Sequence, residues 1–342
     1  LESFELRALP AAWTPIPDGT VAIAPDDGGR PEIHLADPVT GREVRKVIGY
    51  EGSFRGGIHA ELGDVTGDGV DDLVFAPGKG GGPRLKVVDG STGEVIADFM
   101  VYEETFRGGV DIAVGDVNND GFEDVMTGTG KGGGPRIRVI DGQSIADGGI
   151  PEDTLPEDLP DITTGGAGGN FEVLYDFFPF EETFRGGVFV GAGDINGDDF
   201  ADIIAGTGVG GGARVVVTDG ATGEVIQNFF AFDPSLRTGV RVGAGDIDDD
   251  GNDDILVGAG PGGSPHVKAI SGKDGRELAS FFGGSNGARG GVHVSGRDVD
   301  GDGDDDVVAE TRQGNKQFVR GYDRGGRMVR EIVEDVDDRV GG

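Results

Sequence analysis

Residues 236–287, LRTGVRVGAGDIDDDGNDDILVGAGPGGSPHVKAISGKDGRELASFFGGSNG, contain four short apolar runs divided by Gly- and Asp-rich joins. GVRVGAGDI, DILVGAG, PHVKAISG and LASFFGG each read as a strand, and no segment sustains a 3.6-residue apolar period. The same order of signals recurs along the chain. Phe54-Arg-Gly-Gly returns at Phe106 and Phe184 and degenerates to Leu236-Arg-Thr-Gly and Ala288-Arg-Gly-Gly. Asp64, Asp116, Asp194, Asp246 and Asp298 follow at steps of 52, 78, 52 and 52 residues, the long step being one repeat plus a 26-residue insertion at 145–170. A weaker unit stands in front, where APDDGGRPEIHLADPVTG (24–41) matches APGKGGGPRLKVVDGSTG (76–93). The repeats are therefore 2–53, 54–105, 106–183, 184–235, 236–287 and 288–339. Four strands per repeat, repeated six times, predict an all-β chain forming one β-propeller domain over 1–342, with six four-stranded antiparallel blades around a channel. A seventh blade outside the chain is the alternative.

Composition narrows the partners. The 342 residues include 69 Gly and 63 acidic against 29 basic residues, a formal net charge of -34. Nucleic acids and anionic membranes need clustered Lys and Arg, so neither is expected as a partner. With no cysteine there is no disulfide framework and no thiolate site. No run approaches the roughly 20 apolar residues of a membrane span. The opening LESFELRALPAAW lacks the basic and apolar regions of a signal peptide.

The acidic joins carry the chemical signal. GDIDDDGNDD (245–254) holds six carboxylates in ten residues, which repel one another unless a cation sits among them. Positions 1, 3, 5 and 9 of the five loops read Asp64, Thr66, Asp68, Asp72; Asp116, Asn118, Asp120, Asp124; Asp194, Asn196, Asp198, Asp202; Asp246, Asp248, Asp250, Asp254; and Asp298, Asp300, Asp302, Asp306. Position 7, whose main-chain carbonyl would complete the set, is Val70, Phe122, Phe200, Asn252 or Asp304. Six to eight oxygens on a tight loop with Gly at position 6 suit Ca²⁺; Mg²⁺ asks for stricter octahedral geometry, and Zn²⁺ for Cys or clustered His. Up to five calcium sites are expected. The fourth and fifth loops, with four carboxylates each, should bind most tightly; the first, with Thr66, or the third, with Asp199 at the Gly position, most weakly. AWTPIPDGT (12–20) in the first unit should bind none. At a hundredfold excess over the dissociation constant each ion stabilises the fold by about 2.7 kcal/mol, so a structural role outweighs a catalytic one.

With GDVNNDGFED (115–124) and the following TGTGKGGGPRIRVIDG in view, essentially the whole chain resembles the FG-GAP (VCBS-type) repeats of integrin alpha subunits and secreted bacterial proteins. The resemblance implies calcium loops between the first and second strands of each blade, an extracellular, secreted or cell-surface location, and a role in adhesion or carbohydrate binding. The chain departs from the integrin-type pattern in showing six units rather than seven and in lacking the first metal loop. A monomer, or part of a larger surface protein, is expected, with a carbohydrate or a protein as ligand.

Other features are weighed against blander readings. GTGKGGGP (128–135) and GTGVGGGA (206–213) imitate nucleotide loops but open no helix, so close packing of turns explains them better. Arg55, Arg107, Arg185, Arg237 and Arg289 share one unit position and could form a ligand-binding ring at a channel mouth; the competing reading pairs each with nearby acids such as Glu103, Glu104, Glu181 or Glu182. Phe177-Phe178, Phe229-Phe230 and Phe281-Phe282 read as packing wedges. The insertion reads as a long excursion from a third-to-fourth-strand turn, tolerated rather than functional. No nucleophile or acid–base pair recurs. His59 and His293 share a position with Asp111, Phe189 and Arg241, a mixture that permits a catalytic cluster without suggesting one. The chain is therefore expected not to be an enzyme, with a polysaccharide lyase or hydrolase, or a purely architectural surface protein, as alternatives.

Overall fold

The computed structural model describes residues 13–25, 29–149, 170–285, 287–314 and 316–335. Each repeat folds as one antiparallel sheet, and the sheets follow one another in chain order. The first contains β1 (Val21–Ile23), β2 (Glu32–Ala36) and β3 (Glu43–Ile48); the second β4 (Ile58–Gly63), β5 (Asp72–Pro77), β6 (Arg84–Val88) and β7 (Val95–Met100). The third runs β8 (Val110–Gly115), β9 (Asp124–Thr129), β10 (Ile137–Ile140), a short helix α1 (Gly142–Ala146) and β11 (Val173–Phe177). The fourth comprises β12 (Val188–Gly193), β13 (Asp202–Thr207), β14 (Arg214–Thr218) and β15 (Val225–Phe230), and the fifth β16 (Val240–Gly245), β17 (Asp254–Ala259), β18 (His266–Ile270) and β19 (Glu277–Phe282). β20 (His293–Arg297), β21 (Asp306–Gln313), β22 (Lys316–Tyr322) and β23 (Met328–Asp335) make the sixth. The first strand of the first blade would fall within residues 1–12, outside the described residues, and so does most of the insertion.

Blades pack face to face. The second strands β5, β9, β13 and β17 are buried at every position, because a neighbouring blade covers each face, and they are correspondingly rich in Val, Ile and Leu. Six apolar clusters result, one per blade interface. The sixth joins Val21, Ile23 and Ala36 of the first blade to Val299, Val308, Val319 and Ile332 of the last. With Arg297 Nη1 donating to the Thr20 carbonyl at 2.5 Å, this contact closes the ring at six blades. The chain is an all-β, six-bladed propeller.

The Phe-Arg-Gly-Gly motif is the corner where a blade begins. Phe54, Phe106 and Phe184 fold back over the first glycine of their own motif. A Cβ on Gly108 would lie 2.3 Å from the Phe106 ring and 2.6 Å from the Lys131 carbonyl. The second glycine, Gly109, has φ +87°, a left-handed conformation that L side chains resist. Blade-to-blade main-chain bonds use the glycine-rich turns, Gly80 donating to the Arg107 carbonyl at 2.9 Å and Gly132 to that of Arg185 at 2.9 Å. These loops pack backbone on backbone, as expected of turns that open no helix. Gly108→Ala should accordingly destabilise the fold by about 1–3 kcal/mol. Gly52→Ala, where a Cβ meets nothing within 4 Å, should stay within about 0.5 kcal/mol. Urea denaturation of the two variants checks both.

The paired phenylalanines both pack, but to different depths, the outer rings lying on Gly134, Gly212 and the His266 ring. Phe177, Phe229 and Phe281 are half-buried against the clusters, whereas Phe178, Phe230 and Phe282 are 42%, 52% and 54% exposed at the rim. Alternation along the outermost strand puts neighbouring side chains on opposite faces.

Candidate functional site

The five acidic loops connect the first and second strands of blades two to six, so they gather on one face of the ring. Each is shaped by its own carboxylates. The position-1 aspartate caps the following turn: Asp246 Oδ1 accepts from Asp250 N at 3.0 Å and Oδ2 from Gly251 N at 2.9 Å, and Asp64 and Asp116 repeat the pattern. Position 5 accepts from position 7, as with Phe122 N to Asp120 Oδ1 at 2.9 Å. The position-9 aspartate is buried and ties the loop to the next hairpin, Asp124 accepting from Val117 N at 2.9 Å and Gly142 N at 2.8 Å. Positions 4 and 6 turn left-handed in every loop. The non-glycine residues with positive φ among the described residues, Asn119, Asp199 and Asp249, all lie in these loops. Asn and Asp tolerate that conformation better than other side chains, but glycine better still. Asp199→Gly should therefore raise stability by up to about 1 kcal/mol, read as a higher melting temperature.

Neighbouring loops are linked. Glu123 N donates to the Asp64 carbonyl at 3.0 Å, Ala201 N to that of Asp116 at 2.8 Å and Asp253 N to that of Asp194 at 2.8 Å. The Asp253 carboxylate accepts in addition from Asp194 N at 2.9 Å. Burial raises the position-9 carboxyls against these N–H bonds: Asp124 to about 8, Asp202 to about 7, and Asp72, Asp254 and Asp306 to about 6. Glu123 is pushed up to about 7 by burial, with the Asp71 charge adding to it.

In two loops three carboxylates converge. Asp246, Asp248 and Asp254, and likewise Asp298, Asp300 and Asp306, offer oxygens within 4.8 Å of one another. These are the two loops with the most carboxylates. The Asp248 side chain is 3% exposed, and its Oδ1 is buried without a hydrogen-bond partner. A buried carboxylate oxygen left unmatched is costly, and an oxygen-seeking cation is the chemistry that would meet it. Its Oδ2 accepts from Arg276 Nη2 at 2.6 Å, and Lys273 Nζ lies 3.4 Å from Asp250, so the fourth loop holds counter-cations that any ion must displace or share.

The five arginines of the repeat do not line the channel. Nη1 of Arg55 donates to the Gly52 and Phe54 carbonyls, and Arg107, Arg185 and Arg237 brace their own turns in the same way. Arg289 donates to the Ala288 carbonyl at 2.9 Å. Glu103 and Glu181 pair instead with Arg136 and Arg214, at 3.3 and 3.2 Å.

Other residues meet on the axis, at the end of the ring opposite the acidic loops. A cavity of about 410 Å³ is lined by His59, Asp111, Phe189 and Arg241 at its floor and by Lys79, Lys131 and Arg312 nearer the turns. His59 Nδ1 is 2.7 Å from Asp111 Oδ1, the His293 ring centre is 6.0 Å from that of His59, and the Arg241 guanidinium lies 5.2 Å from the Phe189 ring centre. Burial works to raise the Asp111 carboxyl, but His59, the Val190 N–H and Arg241 outweigh it and hold it below the usual value. An adjoining space of about 90 Å³ shares His59, Asp111, Phe189 and Arg241 with this cavity and reaches Glu61, Arg297 and Glu310. Enclosure by protein and the Glu310 charge push Glu61 up to about 8; its side chain opens onto the channel, so solvent moderates the effect. Sequence reasoning passed over Lys79 and Lys131, although they stand one repeat apart in matching GKGGGP segments.

The chain matches no family model and no curated protein. Among solved structures it is similar to a lectin of Agrocybe aegerita described by its specific recognition of non-reducing terminal N-acetylglucosamine (TM-score 0.48, 16% identity, covering 93% of this chain and 81% of that one). It is similar also to the Dos1 propeller (0.45, 13%, 91% and 66%) and to rhamnogalacturonan lyase YesW (0.40, 15%, 93% and 61%). The chain thus spans less than two thirds of the last two. At these identities the likeness is one of fold.

Proposed function

We propose that this chain is an FG-GAP/VCBS-like, calcium-stapled propeller that acts outside the cell as an adhesion or ligand-binding module, with a carbohydrate or a protein as ligand. The observation that carries the metal part is the buried Asp248 carboxylate, which has an unmatched oxygen and belongs to a trio of converging carboxylates. Calcium at this loop would be held by Asp246, Asp248 and Asp254, and at the next by Asp298, Asp300 and Asp306; it would supply charge neutralisation and a rigid cross-link between strands. The absence of a recurring nucleophile in the sequence supports binding over catalysis.

The test is retention of the purified protein on neutral, uronic-acid and sulfated polysaccharides at millimolar calcium, and again after chelation. Retention that disappears on chelation is the expected result. New ultraviolet absorbance in a retained polysaccharide would replace the module reading with a lyase. No retention on any of them would remove carbohydrate as the ligand.

A further inference from the structure

We infer that the axial cavity is a binding site for a monosaccharide-sized organic anion bearing a carboxylate or a phosphate. The inference rests on the reading of the chain as a ligand-binding module and gives that module a place and a ligand class.

Charge is the first argument. In a protein of net charge -34, the cavity is lined by Lys79, Lys131, Arg241 and Arg312 and by one carboxylate, Asp111, which faces His59 and also feels Arg241; Glu61 and Glu310 stand in the adjoining part of the channel. Low-dielectric walls strengthen that local field and raise the local concentration of an anion. Ammonium and guanidinium groups offer charge-assisted hydrogen bonds to either a carboxylate or a phosphate.

Size and shape are the second. A volume of about 410 Å³ lies within the ordinary range for small-molecule pockets and is far too large for a lone inorganic ion. Its walls are largely glycine turns, including Gly78, Gly108 and Gly130, where no side chain fills the space. On the floor, the half-buried Phe189 ring gives an apolar face, while the His59–Asp111 pair and the 6%-exposed Arg241 give polar groups suited to hydroxyls and to the anionic head. The strongly acidic exterior repels polyanions such as nucleic acid, so the anion is a small one.

The full-length protein would be titrated calorimetrically with glucuronate, glucose 6-phosphate and glucose, with and without calcium. Glucuronate, glucose 6-phosphate or both should bind, more weakly as salt rises, and glucose should not; which anion binds tells carboxylate from phosphate. Lys79→Gln with Lys131→Gln should weaken binding at least about tenfold, whereas the same charge loss on outer strands, Lys46→Gln with Lys268→Gln, should leave it unchanged. Anion binding that persists without calcium, in a protein retained on no polysaccharide, upholds the cavity and counts against the wider glycan reading. The inference is overturned if neither anion binds at millimolar concentration, if glucose binds equally well, or if both double variants behave alike.

Discussion

On the proposed stapling, removing calcium with a chelator should lower the melting temperature of this protein by more than any single surface substitution does. Each site occupied at a hundredfold excess of calcium contributes about 2.7 kcal/mol, so two sites contribute roughly 5 kcal/mol, against a total stability of about 5–15 kcal/mol for an ordinary domain. The two loops with converging carboxylates are the first candidates to bear this loss. Their effect should spread, since main-chain bonds tie the first four acidic loops in series, as between Asp194 and Asp253. Asp248→Asn and Asp300→Asn each remove one charge from a converging trio and should each shrink the calcium-dependent rise in melting temperature. An unchanged melting curve on chelation, followed by circular dichroism, would count against the stapling role.

Chelated protein should be more stable at pH 6 than at pH 8, by at least about 2 kcal/mol in urea denaturation. The sign follows from burial. Asp124 and Asp202 are raised to about 8 and 7, and Glu123 to about 7, above the value near 4 of an unfolded carboxyl. Above these values the folded state must keep charged groups out of water at a cost. As pH falls through 8 to 6 the folded state takes up protons that the unfolded state does not, and stability rises; the gain is complete only below about 4. Below that, protonation of the depressed Asp111 and Asp176, which face His59 and the Arg136–Arg138 pair, opposes it. An ion at the second or third loop would compete with the protons on Asp124 or Asp202 and remove that residue's share of the gain, whereas ions at the fourth and fifth loops alone should leave it in place. Equal or lower stability of the chelated protein at pH 6 would refute the burial argument.

The fold was legible in the sequence because its cause is local and repeated. Phe106-Arg-Gly-Gly encodes a corner through one close glycine contact and one left-handed residue, and the alternating acids encode a loop through aspartates that cap their own main chain. Closure at six blades was not legible: it depends on Val21 and Ile23 meeting Val299 and Val308 across the ends of the chain. How deeply each phenylalanine of a pair packs was not legible, because adjacent residues near the rim point to opposite faces. The channel residues illustrate the general difficulty. His59, Asp111 and Arg241 belong to three repeats and carry different chemistry at one position, so no spacing rule unites them; only the ring brings them to the axis. Asp248 shows the converse limit, because its count among the carboxylates was visible while the competing Arg276 comes from another turn.

Calcium titration by calorimetry on chelator-stripped protein tests the account most directly. At least two high-affinity ions per chain are expected, one lost in Asp248→Asn and one in Asp300→Asn. No calcium uptake at millimolar concentration, or uptake indifferent to both substitutions, would contradict the claim that these loops are the staples of the propeller.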